Sequence, residues 1–319
     1  MQYKPKKVKH MDNKPLLSRA PVVISLAILC NMLWGSAIPS INLGYRLFQI
    51  PSGETASQIL FAGCRFFLAG AMTILFTSVP RKTLVRVKKE NLRMVLILGM
   101  TQTVTQYVLF YIGVARTASV NGAIIQGLNA FVAILIACYI FRTERMNRLK
   151  WIGGAAGVLG VIVMNLGGSV GGGVHLMGEG FLLLSMIVSA CSAGLIKIFS
   201  QKEDPVALSG WQFMLGGAIM AVAGFLLGGR LMPTGAGSAA ILVYLAGVSA
   251  VAYTLWGVLL KYNPVSRIAP FMFLQPIFGV ALSLLLYGGE TGDLPKYALA
   301  LALVCLSILI VGKGQQEKA

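Results

Sequence analysis

The sequence predicts an all-α integral membrane protein: ten transmembrane helices, arranged as two inverted five-helix repeats around a central cavity, with both termini cytoplasmic. Three observations predict it: a composition too apolar for water, ten apolar runs of spanning length, and a likeness between the two halves of the chain. Of 319 residues, 56% are hydrophobic and only 12% are charged, and the mean hydropathy is +0.78. A soluble domain carries about a quarter charged residues, so this chain can cover its apolar surface only with lipid.

Apolar windows of about 19 residues place the helices. They fall at 22–44, 55–79, 92–113, 118–141, 149–167, 178–200, 207–228, 238–260, 265–287 and 295–312. Each is near the ~20 residues that cross the hydrocarbon core. The junctions carry helix breakers or charges, among them Pro51, Pro80, Gly171-Gly172-Gly173, Asp204-Pro205, Pro233 and Asn263-Pro264. The first run follows a basic stretch, as a cleaved signal peptide would. Its apolar character continues past Trp34, however, and the repeat described below needs it as a span.

Charge sets the orientation. The net charge of +17 lies in short clusters between apolar runs, which is a topology signal rather than a nucleic-acid surface. With the N-terminus inside, 22 of the 27 Lys and Arg residues fall on the inner side. Arg46, Arg116, Arg230 and Lys296 fall outside, and Arg65 lies within a span. So lopsided a split predicts N-in, C-in topology in a cell membrane, the bacterial inner membrane being the expected one.

The halves match at a nearly fixed offset. Gly63-Cys64-Arg65-Phe66-Phe67-Leu68-Ala69-Gly70-Ala71 aligns 147 residues later with Gly210-Trp211-Gln212-Phe213-Met214-Leu215-Gly216-Gly217-Ala218. At an offset of 146, Tyr107-Val108-Leu109-Phe110 meets Tyr253-Thr254-Leu255-Trp256, and Glu144 meets Glu290. This divides the chain into a basic tail (1–21), a first repeat (22–167), a second repeat (168–312) and a short tail (313–319). A copy of five helices is odd in number, so the second must enter from the opposite face. Inverted repeats are a common device of secondary transporters.

Leu33-Trp34-Gly35-Ser36, Arg65-Phe66, Ala118-Ser119 and Phe141-Arg142-Thr143-Glu144-Arg145 stand in order in the first half. Trp211-Gln212, Gln275-Pro276-Ile277-Phe278 and Gly289-Glu290 follow in the second. In these residues the chain resembles the EamA-type branch of the drug/metabolite transporter superfamily. The resemblance implies a metabolite exporter or exchanger with a cavity lined chiefly by spans 3, 4, 8 and 9, with contributions from 1 and 6. Where that family usually has proline midway along span four, this chain has Asn129, which puts a kink there in doubt.

Polar groups inside lipid should face the bundle interior. At about 100° per residue, Thr101, Gln102, Thr105 and Gln106 share one face of span three, and Asn121, Gln126 and Asn129 share one face of span four. Asn31, Trp34, Ser189, Ser192, Tyr253, Trp256 and Gln275 complete the expected substrate-binding set. Amides, hydroxyls and aromatics suit a polar, uncharged or zwitterionic solute such as an amino acid or nucleoside. Arg65, near mid-depth, should have a partner: a backbone carbonyl, cavity water or an anionic group of the solute. Glu144 and Glu290 are expected to pair with a nearby Arg or cap backbone, and Lys197 to snorkel to the interface. All ten acidic residues map to loops or span ends, which argues against a membrane-embedded carboxylate as proton carrier. Five cysteines without CxxC spacing and two histidines outside the spans predict no metal site, no cofactor and no enzyme. The expected partners are a small-molecule substrate and the bilayer, with one chain sufficient for a transport path. A multidrug or cationic-compound carrier is the competing function, and a scaffold or intramembrane enzyme the more distant ones.

Overall fold

The computed structural model describes residues 16–51, 53–114, 116–117, 125–164, 176–287 and 294–316. Over these residues the chain is helical. Six helices are long and apolar enough to cross a membrane: α1 (Ala20–Leu47), α2 (Thr55–Arg81), α3 (Lys89–Val114), α6 (Leu176–Phe199), α7 (Pro205–Leu226) and α8 (Ala236–Tyr262). Between and after them lie α4 (Asn129–Tyr139), α5 (Arg148–Met164), a broken segment α9 and α10 (Leu294–Gln316). Segment α9 runs Val265–Ile268, Ala269–Phe273 and Leu274–Tyr287, the middle piece in the tighter 3₁₀ form.

The outward faces are apolar, with Phe76 64%, Leu226 76% and Leu285 82% exposed, whereas Arg65 (4%) and Gln212 (1%) are buried. This inside-out distribution is stable where lipid replaces water. Lipid offers helices no hydrophobic drive to associate, so close packing at small residues holds them. α2 and α7 cross antiparallel on such contacts: Gly63 lies against Ala221, Gly70 against Met214, Gly217 against Phe67, and Gly210 against Ile74. α5 and α10 repeat the device, Gly153 lying against Ser307 and Val311 and Gly160 against Ala300 and Val304.

Helix ends expected on one side of the membrane meet one another. Arg81 pairs with Asp204 at 2.8 Å, Asn147 Nδ2 donates to Gly314 O at 2.6 Å, and Arg267 Nη1 to Ser18 O at 3.1 Å. At the opposite end Arg230 N donates to Ser57 Oγ at 2.8 Å and Met232 N to Phe48 O at 3.1 Å.

Several local expectations are revised. Pro80 is not a junction but sits in the last turn of α2, where a missing N–H removes only one terminal bond; the helix stops at Lys82, in left-handed conformation at φ 50°. Span four is irregular although it lacks proline: Leu128 N donates to Ile125 O at 3.1 Å, a tightened turn, and regular helix begins at Asn129. Pro276 lies in the first turn after the 3₁₀ piece of α9, where it leaves Met272 O without an α-helical donor. Lys197 does not snorkel. Its Nζ donates to Lys261 O at 3.2 Å and Asn263 O at 2.9 Å, capping the end of α8. Glu144 pairs with Lys150 at 2.9 Å rather than with an Arg, because Lys150 is buried beneath it while Arg145 turns its carbonyl to the same ammonium at 2.9 Å. Glu144 also accepts from Ser266 N at 3.1 Å, the expected backbone cap, and from Ser266 Oγ, which ties the end of α4 to the start of α9. Asn121, Ala118-Ser119 and Gly289-Glu290 lie outside the described residues.

Two predictions follow from this packing. A Cβ at Gly63 would overlap the backbone of Ala221, so Gly63→Val should cost more than about 1–3 kcal/mol and abolish the monodisperse peak in size-exclusion chromatography. Gly247→Ala, whose Cβ would meet only Met72 Cε at 3.7 Å, should not. The second concerns Glu203, in the turn between α6 and α7. Its carboxylate accepts from Asn91 Nδ2 at 2.8 Å, Lys88 N at 3.1 Å and Asp204 N at 3.2 Å. Burial alone would raise its pKa, but those bonds and the Lys88 charge together hold it below the ordinary value. A depressed carboxyl stabilises the fold above its unfolded pKa of about 4.3 and ceases to as pH falls through the folded one. Glu203→Gln should therefore lower the melting temperature at pH 7 and flatten its decline below about pH 4.3, read by thermal unfolding in detergent.

Candidate functional site: a central polar cavity

A cavity of about 160 Å³ opens between α1, α2, α3, α4, α6, α8 and α9. Of the residues expected to bind substrate, Trp34, Gln102, Gln106, Gln126, Asn129, Ser189, Tyr253, Trp256 and Gln275 line it, together with Arg65. The helices are those the resemblance implied, with α2 added through Arg65.

Four expected residues stand elsewhere. Asn31 is fully buried beside the cavity, donating to Ala27 O at 2.6 Å and accepting from Gln275 Nε2 at 3.0 Å. It therefore orients a lining amide and does not face the cavity. Thr101 bonds back to Ile97 O at 2.7 Å, and Thr105 is exposed. At 100° per residue the threonine pair stands about 100° round the helix from the glutamine pair, and the cavity takes in the glutamines alone; Gly99–Thr105 is a π-helix. Ser192 likewise turns to its own helix, donating to Val188 O at 2.9 Å.

Aromatic rings wall the cavity in edge-to-face contacts. Trp34 meets Tyr253 at 5.0 Å and Trp256 at 5.1 Å between centroids. Tyr253 in turn donates to, or accepts from, the Tyr107 hydroxyl at 2.5 Å. Tyr107, Phe110 and Tyr111 also line the cavity and were missed from sequence. A signal existed: Tyr107 is the repeat counterpart of Tyr253, so choosing one should have selected the other.

The polar atoms divide into two groups. Gln212, inside α7, is fully engaged: its Oε1 accepts from Thr103 Oγ1 at 2.8 Å and its Nε2 donates to Gln102 Oε1 at 2.9 Å. Asn129 Nδ2 reaches Ser189 Oγ at 3.3 Å. By contrast Arg65 Nε and Nη1, Trp34 Nε1, Gln106 Oε1 and Asn129 Oδ1 are buried without a partner. The Arg65 guanidinium lies 4.6 Å from the centroid of its neighbour Phe66, a cation–π contact. Among the described lining residues Arg65 is the charged one, and none is Asp or Glu.

These roles separate by mutation. Gln212→Leu would strand Thr103 and Gln102 and should cost about 1–3 kcal/mol, seen as a lower melting temperature. Gln126→Ala, at an exposed position on the cavity wall, should leave stability within about 0.5 kcal/mol.

A model of the EamA-like transporter family matches residues 21–166 and again 176–312. A "Probable amino-acid metabolite efflux pump" of Salmonella typhimurium is 26% identical over 305 residues, covering 90% of this chain and 94% of that one. A protein of the same name from Escherichia coli is 27% identical over 301 residues, with the same coverage. A chain solved by crystallography superposes with a TM-score of 0.74 at 15% identity, covering 94% of this chain and 99% of that chain, which shows a shared fold. With both halves matched and its apolar helices surrounding a polar interior, the chain belongs to the EamA-like transporter family, a family of membrane transport proteins.

Proposed function

We propose that the protein is a secondary carrier that exports or exchanges a small polar metabolite, an amino acid or a nucleoside, by alternating access of two inverted five-helix halves. The observation that carries this reading is the cavity itself, built from both halves and walled by amides, hydroxyls and aromatic rings. The printed names of the Salmonella and Escherichia relatives support efflux of amino-acid metabolites as the activity.

Contacts between the halves support the inversion. Shifting both partners by the repeat offset of 147 turns Gly63–Ala221 into Gly210–Ile74, and Gly70–Met214 into Gly217–Phe67. It likewise turns Gly160–Ala300 into Ser307–Gly153. Counterparts also meet each other, as residues on an approximate two-fold axis do: Phe66 stacks on Phe213 at 5.3 Å, and Tyr107 bonds Tyr253. Two copies of one packing unit facing opposite ways can exchange poses and open a midplane site to either side. The excess of basic residues on one side supports cytoplasmic termini.

Coupling follows from the lining. With no carboxylate among the described lining residues, the carrier works by facilitated exchange rather than by a membrane-embedded carboxylate that loads and unloads protons. Purified protein in liposomes should exchange labelled solute for unlabelled solute of the same kind without a pH gradient. Strong gradient-driven accumulation that disappears in Glu179→Gln would overturn the coupling. Absence of exchange for every small polar solute would overturn transport.

A further inference from the structure

The cavity's unpartnered atoms are chemically unequal, and they narrow the solute. This inference rests on the transport reading above. Three of the atoms are donors: Arg65 Nε and Nη1, with Trp34 Nε1. Two are acceptors: Gln106 Oε1 and Asn129 Oδ1. All belong to residues on the cavity wall. Buried polar atoms are almost always paired, so a set left open around a cavity marks what the cavity is built to receive.

Arg65 is the informative member. The repeat supplies an internal control, because its counterpart in the second half is Gln212. Gln212 has both ends bonded inside the fold, to Thr103 and Gln102. A neutral amide therefore suffices for packing at this position. Arg65 instead carries a charge into the bundle and leaves two donors unused, with the Phe66 ring beside it and no carboxylate among the described lining residues. A permanent cation there repels cationic solutes and leaves a neutral one unable to compensate it.

We infer that Arg65 is the anchor for the carboxylate of the transported solute, and that the free amide oxygens of Gln106 and Asn129 receive its ammonium group, so that the cavity selects a zwitterionic amino acid over nucleosides and organic cations. Trp34, Tyr253 and Trp256 then bound the side chain of that solute with apolar ring surface. Arg65 acts on specificity: it holds the group that distinguishes an acid from its amide.

Counterflow in liposomes tests this with three neutral amino acids (threonine, leucine and phenylalanine), the corresponding amides and deaminated acids, and uridine. The wild-type protein should exchange at least one of the amino acids. The matching amide and uridine should compete at least about tenfold more weakly, since a site built for a charged group rejects an analogue lacking it. Arg65→Gln should erase the preference for acid over amide, and Arg65→Lys should retain part of it. Equal competition by the amide or uridine in the wild type would overturn the anchor while leaving transport standing, as would an unchanged acid-to-amide ratio in Arg65→Gln. If Arg65→Gln fails to fold, the wild-type comparison of acid with amide still decides. No exchange of any solute would overturn the transport reading, and the anchor with it.

Discussion

The close crossing of α2 and α7 is the contact on which the rest of the structure depends. Glycines at 63, 70, 210 and 217 let the two backbones approach to distances that a side chain would forbid. In lipid this matters more than it would in water, because dispersion and backbone proximity replace the hydrophobic effect as the attraction between helices. The crossing also fixes what stands around it. Phe66 lies on Phe213, Arg65 and Gln212 occupy corresponding positions, and α3 is drawn in where Gly216 meets Thr103 and the Gly99 carbonyl.

A second constraint comes from the cost of polar atoms away from water. The fold meets it by local bonding: Thr73 to Ala69 O, Asn31 to Ala27 O, and Lys197 to the carbonyls that end α8. The buried Lys150–Glu144 pair is an extreme case, since two desolvated charges are tolerable only when further bonds satisfy them. Ser266 and the Arg145 carbonyl supply those bonds. Against this thrift five open valences gather on the cavity wall, the hydroxyls of Tyr45, Ser249, Thr254 and Ser307 being the others among the described residues.

Much of this was legible in the sequence. Apolar runs gave the ends of the six long helices to within about three residues, because in lipid every backbone group must be satisfied within the helix and length alone sets the span; span four departs, its regular helix beginning at Asn129. The cavity residues on regular helix, such as Trp34, Ser189, Tyr253 and Trp256, were legible for the same reason: their direction follows from a fixed angle per residue. Thr101 and Thr105 were not, since the pattern marks a broad polar face and not which half of it meets the cavity. The partner of Glu144 was also hidden: Lys150 and the nearby arginines are equivalent in charge, and burial alone distinguishes them. Lys197 read as a snorkelling lysine because nothing in one span reveals that the end of another helix will lie beside it.

The π-turn of α3 has a consequence for how the two halves keep their register. Before it, the offset between copies is 147: Gly99 and Thr103 lie against Gly216 just as their counterparts Ala246 and Ala250 cluster with Ala69. At Tyr107 the offset is 146, since Tyr107 faces Tyr253, and it is 147 again where α5 meets α10. Between Thr103 and Tyr107 the first copy thus carries one extra residue, where the π-helical Gly99–Thr105 ends. In a strict α-helix an inserted residue would rotate everything beyond it by about 100°. Widening one turn absorbs the insertion as a local bulge, and Tyr107 stays opposite its twin. The helix stores the indel where it occurred, and the copies keep their register across an unequal count.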